Sequence, residues 1–383
     1  MTNKYQQAAI RAGDWFLNTQ VKDEVDANRG RYLYCRHFDS NTFQRSSGWQ
    51  TAFGIMAVLS LHKLTGEKKY LDSAALAVEW LKSLQILDQR DPTLYGAFRE
   101  ETQLFNWSHP RDAVSSAWGL LCYAQYVGDE DCMERAKIFA DWMIKYAFKG
   151  DWPKCTVNLG PGGLPNNDLL GSFQSGGILF FHDLYDASQE ERYKQTAKRM
   201  SDFYADNFFN EQGELTVFLE STPEIDAQWP QAWRDMHRVN DDFGSIALVR
   251  SYEVFQCEKY RKRLDAFMHW TFSIEKPGGG FLNPEMEVGS ATVPIALDRY
   301  LSLVSPKDKP LCELVMMRCL DHLLTFQQTS DDKQIDGAFL GLDIQCKSGH
   351  GRWVNIRCTA YAILALLLQS GHSVFPFKRD ALS

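Results

Sequence analysis

A pair of helices repeated six times constrains this 383-residue chain more than any other feature. Each unit opens with a segment rich in small and apolar residues, breaks at a short turn, and continues as a more amphipathic stretch. The first unit runs from Ser46 to Gln85 and turns at Thr65-Gly66-Glu67. The second follows from Asp112 and turns at Gly128-Asp129, the third begins at Asp168 and the fourth at Asp241. The fifth begins near Glu287, where Pro294 implies a late start or a kink. The sixth first helix, from Trp353 to Gln369, has no partner after it, and the N-terminal helix Lys4 to Gln20 can supply one. Apolar spacing at helical period fills both halves of each unit. Repetition at this period, with the chain ends completing one pair, predicts an all-α fold. The expected architecture is a single closed (α/α)6 toroid over residues 1–383, with small residues packing the inner ring and Lys, Glu and Arg on the outer helices.

Turns within each pair are short, whereas the connections to the next pair are long: 21–46, 86–111, 149–167, 210–240, 276–286 and 328–352. Long loops inside a compact domain are usually functional. In a toroid they all open at the N-termini of the inner helices, so the site is expected there. Composition narrows the chemistry. With 41 Lys and Arg against 49 Asp and Glu the net charge is −8, which disfavours a nucleic-acid partner. The longest apolar runs, such as Ala360 to Leu368, are far short of the roughly 20 residues that span a bilayer. The N-terminus carries no export-signal pattern, so a cytoplasmic location is expected, and the nine cysteines read as reduced, mostly buried thiols. No metal-ligand spacing, phosphate loop or dinucleotide fingerprint is present, so neither metal nor organic cofactor is expected.

The long loops and helix starts are rich in aromatic, acidic and Arg residues. Trp49, Trp107, Trp229, Trp233 and Trp353 offer faces on which a pyranose can stack, and Arg45, Arg111, Arg238 and Arg352 suit a sugar carboxylate. Asp112, Asp168, Asp241 and Asp242 stand at inner-helix starts, with His109 and His237 beside them. An Asp in that position is also a favoured N-cap. Adjacent carboxylates such as Asp241-Asp242 should raise one another's pKa, as a general acid requires. The expected partner is an oligosaccharide, and the expected reaction is glycoside cleavage by carboxylate acid and base.

The segment from Gly48-Trp49 to Ala75, with Leu64-Thr65-Gly66-Glu67, resembles the hairpin of the unsaturated glycuronyl and rhamnogalacturonyl hydrolases of the six-hairpin glycosidase superfamily. That resemblance implies a glycoside hydrolase acting on a uronic-acid saccharide, with Asp168 as acid/base and Asp112 as its supporting partner. The His-Asp-Leu-Gly-Phe stretch typical of those enzymes is replaced by Ser108-His109-Pro110-Arg111-Asp112, which leaves a polysaccharide lyase or a sugar epimerase open. A second resemblance, to terpenoid cyclases, rests on Gln85 with Gly96-Ala97-Phe98, Gln327 with Gly337-Ala338-Phe339, and Val239-Asn240-Asp241-Asp242. It implies an enzyme that protonates an alkene from Asp241 and Asp242. Such Gln repeats also pin an outer helix to the next loop in toroidal lyases.

Overall fold

The computed structural model describes residues 2–38, 40, 42–229, 231–240, 243–281, 291–341 and 353–375. The N-terminal helix α1 spans Lys4–Thr19, capped by Asn3. Paired helices follow: α2 (Gly48–Thr65) with α3 (Lys68–Leu84), α4 (Pro110–Val127) with α5 (Glu130–Trp142), and α6 (Gly176–Ser188) with α7 (Glu191–Asn207). Two loop helices, α8 (Pro223–Gln228) and α9 (Gln231–Asn240), precede α10 (Gly244–Phe255) and α11 (Glu258–Ser273). The last elements are α12 (Thr292–Tyr300), α13 (Lys309–Leu324) and α14 (Ile356–Leu366). The first helix of each pair packs on the next in a closed ring, α2–α4–α6–α10–α12–α14 and back to α2, while α1 packs on α14 as the missing sixth partner. This is the all-α toroid that the repeat predicts. None of the described helices is long and apolar enough to cross a membrane.

The inner helices are buried on nearly every side, α2 without interruption from Gly48 to Leu61. They come close because small residues face one another. A Cβ on Gly119 would stand 2.8 Å from Ala52 Cβ, and one on Gly48 would stand 2.4 Å from Ser116 Oγ. The outer helices bury only a stripe, as α7 does with Tyr193, Ala197, Met200 and Tyr204. Seven of the eight described cysteines are buried.

A glutamine clamp recurs where an outer helix gives way to its loop. Gln20 Nε2 donates to Gly30 O in its own loop and to Ser73 O in α3. Gln85 Nε2 bonds Gly96 O and Arg135 O in α5 in the same manner, and Gln327 Nε2 bonds Gly337 O and Ala8 O in α1. Each clamp glycine has positive φ and lies against the next outer helix, where a Cβ would fall 2.2–2.6 Å from a backbone carbonyl oxygen. The Gln repeats are therefore structural fasteners, and the clamp at Gln327 joins the two ends of the chain.

Some features differ from the sequence expectation. The fifth inner helix starts late, at Thr292, with Pro294 in its first turn, where a missing N–H costs nothing. The expected start near Glu287 lies outside the described residues. The mouth also carries a small antiparallel sheet of order 43–45, 33–37, 353–355, 340–341, which pairs Cys35 with Asn355 and Leu340 with Val354. It ties the first long loop to the last, directly above α14.

The clamp predicts a graded loss of stability in urea unfolding. Gly66→Ala, at φ +70° in open space, should cost only the left-handed strain of about 1–2 kcal/mol. Gly96→Ala adds a clash with Ile138 O and should cost clearly more, about 3 kcal/mol or above. Gln85→Ala leaves two carbonyls without their side-chain donor and should cost about 1–3 kcal/mol. Equal losses for Gly66→Ala and Gly96→Ala would refute the close-approach argument.

Candidate active site at the mouth of the ring

The N-termini of α2, α4, α6, α10 and α14 surround a narrow pocket lined by Trp49, Phe53, Arg111, Ser115, Trp118, Phe173, Gln174, Phe243 and Tyr361. Arg111, Ser115 and Trp118 share one face of α4, at spacings of four and three residues. The Arg111 guanidinium lies over the Trp49 ring, 5.2 Å from its centroid, and Nη1 donates to Asp112 Oδ1 at 3.1 Å. Phe243 reaches the pocket from a left-handed backbone at φ +79°, an unusual state for a bulky residue. Backbone strain of this kind clusters at functional sites.

Asp112 faces the α2 side of α4 and is 8% exposed. It is not the N-cap. His109 holds that place, Pro110 follows, and Asp112 completes the first turn. Its carboxyl meets that of Glu100, a buried residue of the preceding loop. Burial pushes the Glu100 carboxyl well above the usual carboxylate range, and the charge and hydrogen bond of Asp112 push it further. The His109 backbone N–H donates to Glu100 Oε2 at 3.1 Å and opposes that rise. Glu100 thus keeps its proton, in the hydrogen bond it makes with Asp112. Glu101 is also raised, mainly by burial.

The remaining expected residues divide into packed and rim positions. The Nδ1 of His109 meets Cys155 O at 2.7 Å, so that nitrogen carries the proton and the ring is held by backbone. The ring also packs on Trp107 at 4.8 Å. Trp229, Trp233 and His237 form one cluster with Phe173 and Phe218, with Trp229–Trp233 at 4.5 Å and Trp233–His237 at 3.9 Å. Trp233 and His237 are buried, so the cluster spends on itself much of the aromatic surface expected to stack on substrate. Trp353 is buried in the small sheet against His37. Arg45 pairs with Asp26 at 3.8 Å and Arg238 with Glu214 at 3.1 Å, both on the rim. Asp241, Asp242 and Arg352 lie outside the described residues.

Asp168 is corrected by the structure. It is exposed, in an irregular segment eight residues before α6, rather than at the start of the third inner helix. The reason is the run Leu169-Leu170-Gly171, which stays extended because Ser172 N–H donates to Val217 O and Gly171 bridges Phe218. The helix-start position facing the pocket is taken by Phe173 and Gln174 instead.

Sequence reasoning missed Glu100, Gln174 and Arg357. Glu100 follows the Gly96-Ala97-Phe98 clamp by two residues, a fixed distance from a fastened point, and that is the signal that could have found it. Arg357 opens α14, sits 5.9 Å from the Tyr361 ring centroid, and has buried Nε and Nη2 atoms with no hydrogen-bond partner among the described residues. Among the described residues no three His, Cys, Asp or Glu side chains converge as metal ligands would.

The fold and the ring of inner N-termini define a toroid of the six-hairpin type. No protein-family model matches the sequence, and no curated protein matches it. Solved structures do. Cellobiose 2-epimerase from Bacillus thermoamylovorans superposes with a TM-score of 0.71 at 12% identity, over 96% of this chain and 98% of that one. Unsaturated glucuronyl hydrolase from Streptococcus agalactiae gives 0.69 at 15% identity, over 96% and 92%. A glycoside hydrolase family 76 mannosidase from Bacteroides thetaiotaomicron gives 0.68 at 12% identity, over 96% and 100%. At these identities the likeness shows the fold, and it extends over nearly the whole chain.

Below the pocket, Trp118 Nε1 donates to Asp183 Oδ2 at 2.7 Å. Burial pushes the Asp183 carboxyl up to about 8, against the opposing pull of the Trp118 indole and Arg250. The unfolded chain releases this proton near pH 4, whereas the folded protein keeps it to about pH 8. Stability from this group is therefore full at low pH and falls as pH rises between those values. Asp183→Asn, which keeps an acceptor for Trp118 and has no proton to lose, should remove that decline. Relative to the wild type, the variant should gain on the order of 2–4 kcal/mol in urea unfolding on going from pH 5 to pH 8. Parallel pH profiles would show that Asp183 is ionised in the folded protein.

Proposed function

We propose that this protein is a carbohydrate-active enzyme that cleaves a glycosidic bond of a uronic-acid-containing oligosaccharide at the mouth of its ring. One observation carries the reading: Arg111 spans the face of Trp49 on one side and the Glu100–Asp112 carboxyl pair on the other. Trp49, covered on one face by Arg111, forms the apolar wall of the pocket beside that pair. Arg111 and, across the mouth, Arg357 offer guanidinium groups to a sugar carboxylate, which they would hold in bidentate fashion. The Arg357 Nη1 meets Met236 Sδ, while its buried Nε and Nη2 have no acceptor among the described residues, and a uronate would supply one.

The carboxyl pair supplies the chemistry. Because Glu100 keeps its proton above the usual carboxylate range, it can act as a general acid. In cleavage the Glu100 proton goes to the leaving oxygen, the bond from that oxygen to the sugar carbon breaks, and water adds at the carbon. The proton that water releases returns to the pair, so that the net change is addition of one water across the bond. The solved relatives in fold support a sugar substrate, since two are glycoside hydrolases and the third is an epimerase of a disaccharide.

The test offers saturated and unsaturated uronic-acid oligosaccharides while reducing ends and the absorbance of the C4=C5 double bond are followed. New reducing ends with loss of absorbance support hydrolysis of an unsaturated uronide. Gain of absorbance would assign a lyase, and a change of sugar without cleavage would assign an epimerase. Glu100→Gln and Asp112→Asn should each lower kcat about 10²-fold or more, while exposed Asp168→Asn stays near the wild type. A loss confined to Asp242→Asn would move the acid to the Asp241-Asp242 pair. The alkaline limb of kcat should follow the raised pKa of Glu100 and move to lower pH in Asp112→Asn, because the charge and hydrogen bond of Asp112 that add to the rise are gone.

A further inference from the structure

The ring of inner helices has a second end, opposite the mouth. There the chain leaves α14, turns at Gly371 with φ +72°, and doubles back. His372 and Ser373 donate backbone N–H bonds to Leu367 O at 3.2 and 3.3 Å. Val374 N–H donates to Ser60 Oγ at 3.0 Å, in the C-terminal half of α2. These bonds hold the returning strand under the ring and aim the next side chain inward. Phe375 has no exposed surface. Its ring centroid stands 4.9 Å from Phe243, 5.0 Å from Trp118 and 6.0 Å from Phe53.

Those three rings line the mouth pocket, yet Phe375 comes to them from the other end of the barrel. It fills the lumen behind them, and the pocket that remains is about 10 Å³, room for a single water. We propose that Phe375 is the floor of the pocket, a plug supplied by the C-terminal segment that sets how large a group the lumen admits. The size limit it places on a sugar substituent rests on the function proposed above. The filling of the lumen does not.

The plug is tested in the full-length chain with benzene as probe. Phe375→Ala leaves a void walled by aromatic rings, and an apolar void of this kind stays dry and takes up benzene. Saturating benzene should raise the Tm of the variant by about 3 °C and leave the wild type unmoved. A folded variant without that shift, or a wild type that shifts equally, overturns the proposal. Should Phe375→Ala not fold, Phe375→Val with xenon as the smaller probe gives the same readout. Hexosides with and without an N-acetyl group give the second arm. Phe375→Ala should raise the kcat/KM ratio in favour of the bulkier sugar about tenfold. If neither protein cleaves any glycoside but benzene still stabilises the variant, the plug stands and the sugar reading falls. If both cleave glycosides with one preference and benzene has no effect, the sugar reading stands and the plug falls.

Discussion

The contact on which the closure of the toroid depends is the glutamine clamp, because it fixes three of the helix pairs to the next and one of them joins the two ends of the chain. Helix packing alone leaves neighbouring hairpins free to slide, since an apolar stripe carries no register. Gln20, Gln85 and Gln327 remove that freedom by bonding two backbone carbonyls at once, one in the following loop and one in the next outer helix. Glycine is required because the loop turns with positive φ directly against a helix backbone. Gly213 and Gly279 repeat the approach against Ala266 and Arg318, so the device extends to loops that lack the glutamine. A ring built from such local joints closes when the last one, from Gln327, lands on Ala8 of the first helix.

Closing the ring creates an inner space that must be filled. The six inner helices surround an axis, and their side chains alone do not reach it from every level. Phe53, Trp118, Phe243 and Tyr361 converge there from four different helices, with centroids 4.9–6.5 Å apart where they touch. Phe375 completes the set from the segment that follows α14. Filling the lumen buries these rings against one another and leaves the polar groups at the mouth. Asp183 is the exception below that level, and its raised pKa reflects the cost of a carboxyl among aromatic rings.

Architecture was legible in the sequence because every element of it is a local pattern. Small residues on one helix, charges on its partner, a glycine turn between them, and a glutamine at the end all lie within about 40 residues, the usual span of a helical repeat. The site was legible only in part. Trp49, Arg111 and Asp112 sit in the first turn of helices whose starts the pattern marks, and the structure brings them together. Asp168 looked equivalent, but the backbone bonds of Gly171 and Ser172 to residues 217–218 postpone the helix. Trp229, Trp233 and His237 looked available, but their four-residue spacing on and beside α9 lets them pack on one another and on Phe173 in a distant loop. Contacts between distant loops decided both cases, and nothing in a local pattern encodes them.

Glu100 shows how the same fastening that builds the ring can also build an acid. The clamp at Gln85 and Gly96 places the chain just ahead of α2, and the Gly48 backbone N–H donates to Glu100 O at 3.3 Å. Gly48 is itself the point where α2 approaches Ser116 of α4 too closely for any side chain. The buried Glu100 side chain meets Asp112, one turn of α4 before Ser116. Two carboxyls forced together and shielded from water cannot both ionise, so one keeps its proton. Burial is the larger cause of that retention, and the charge and hydrogen bond of Asp112 add to it.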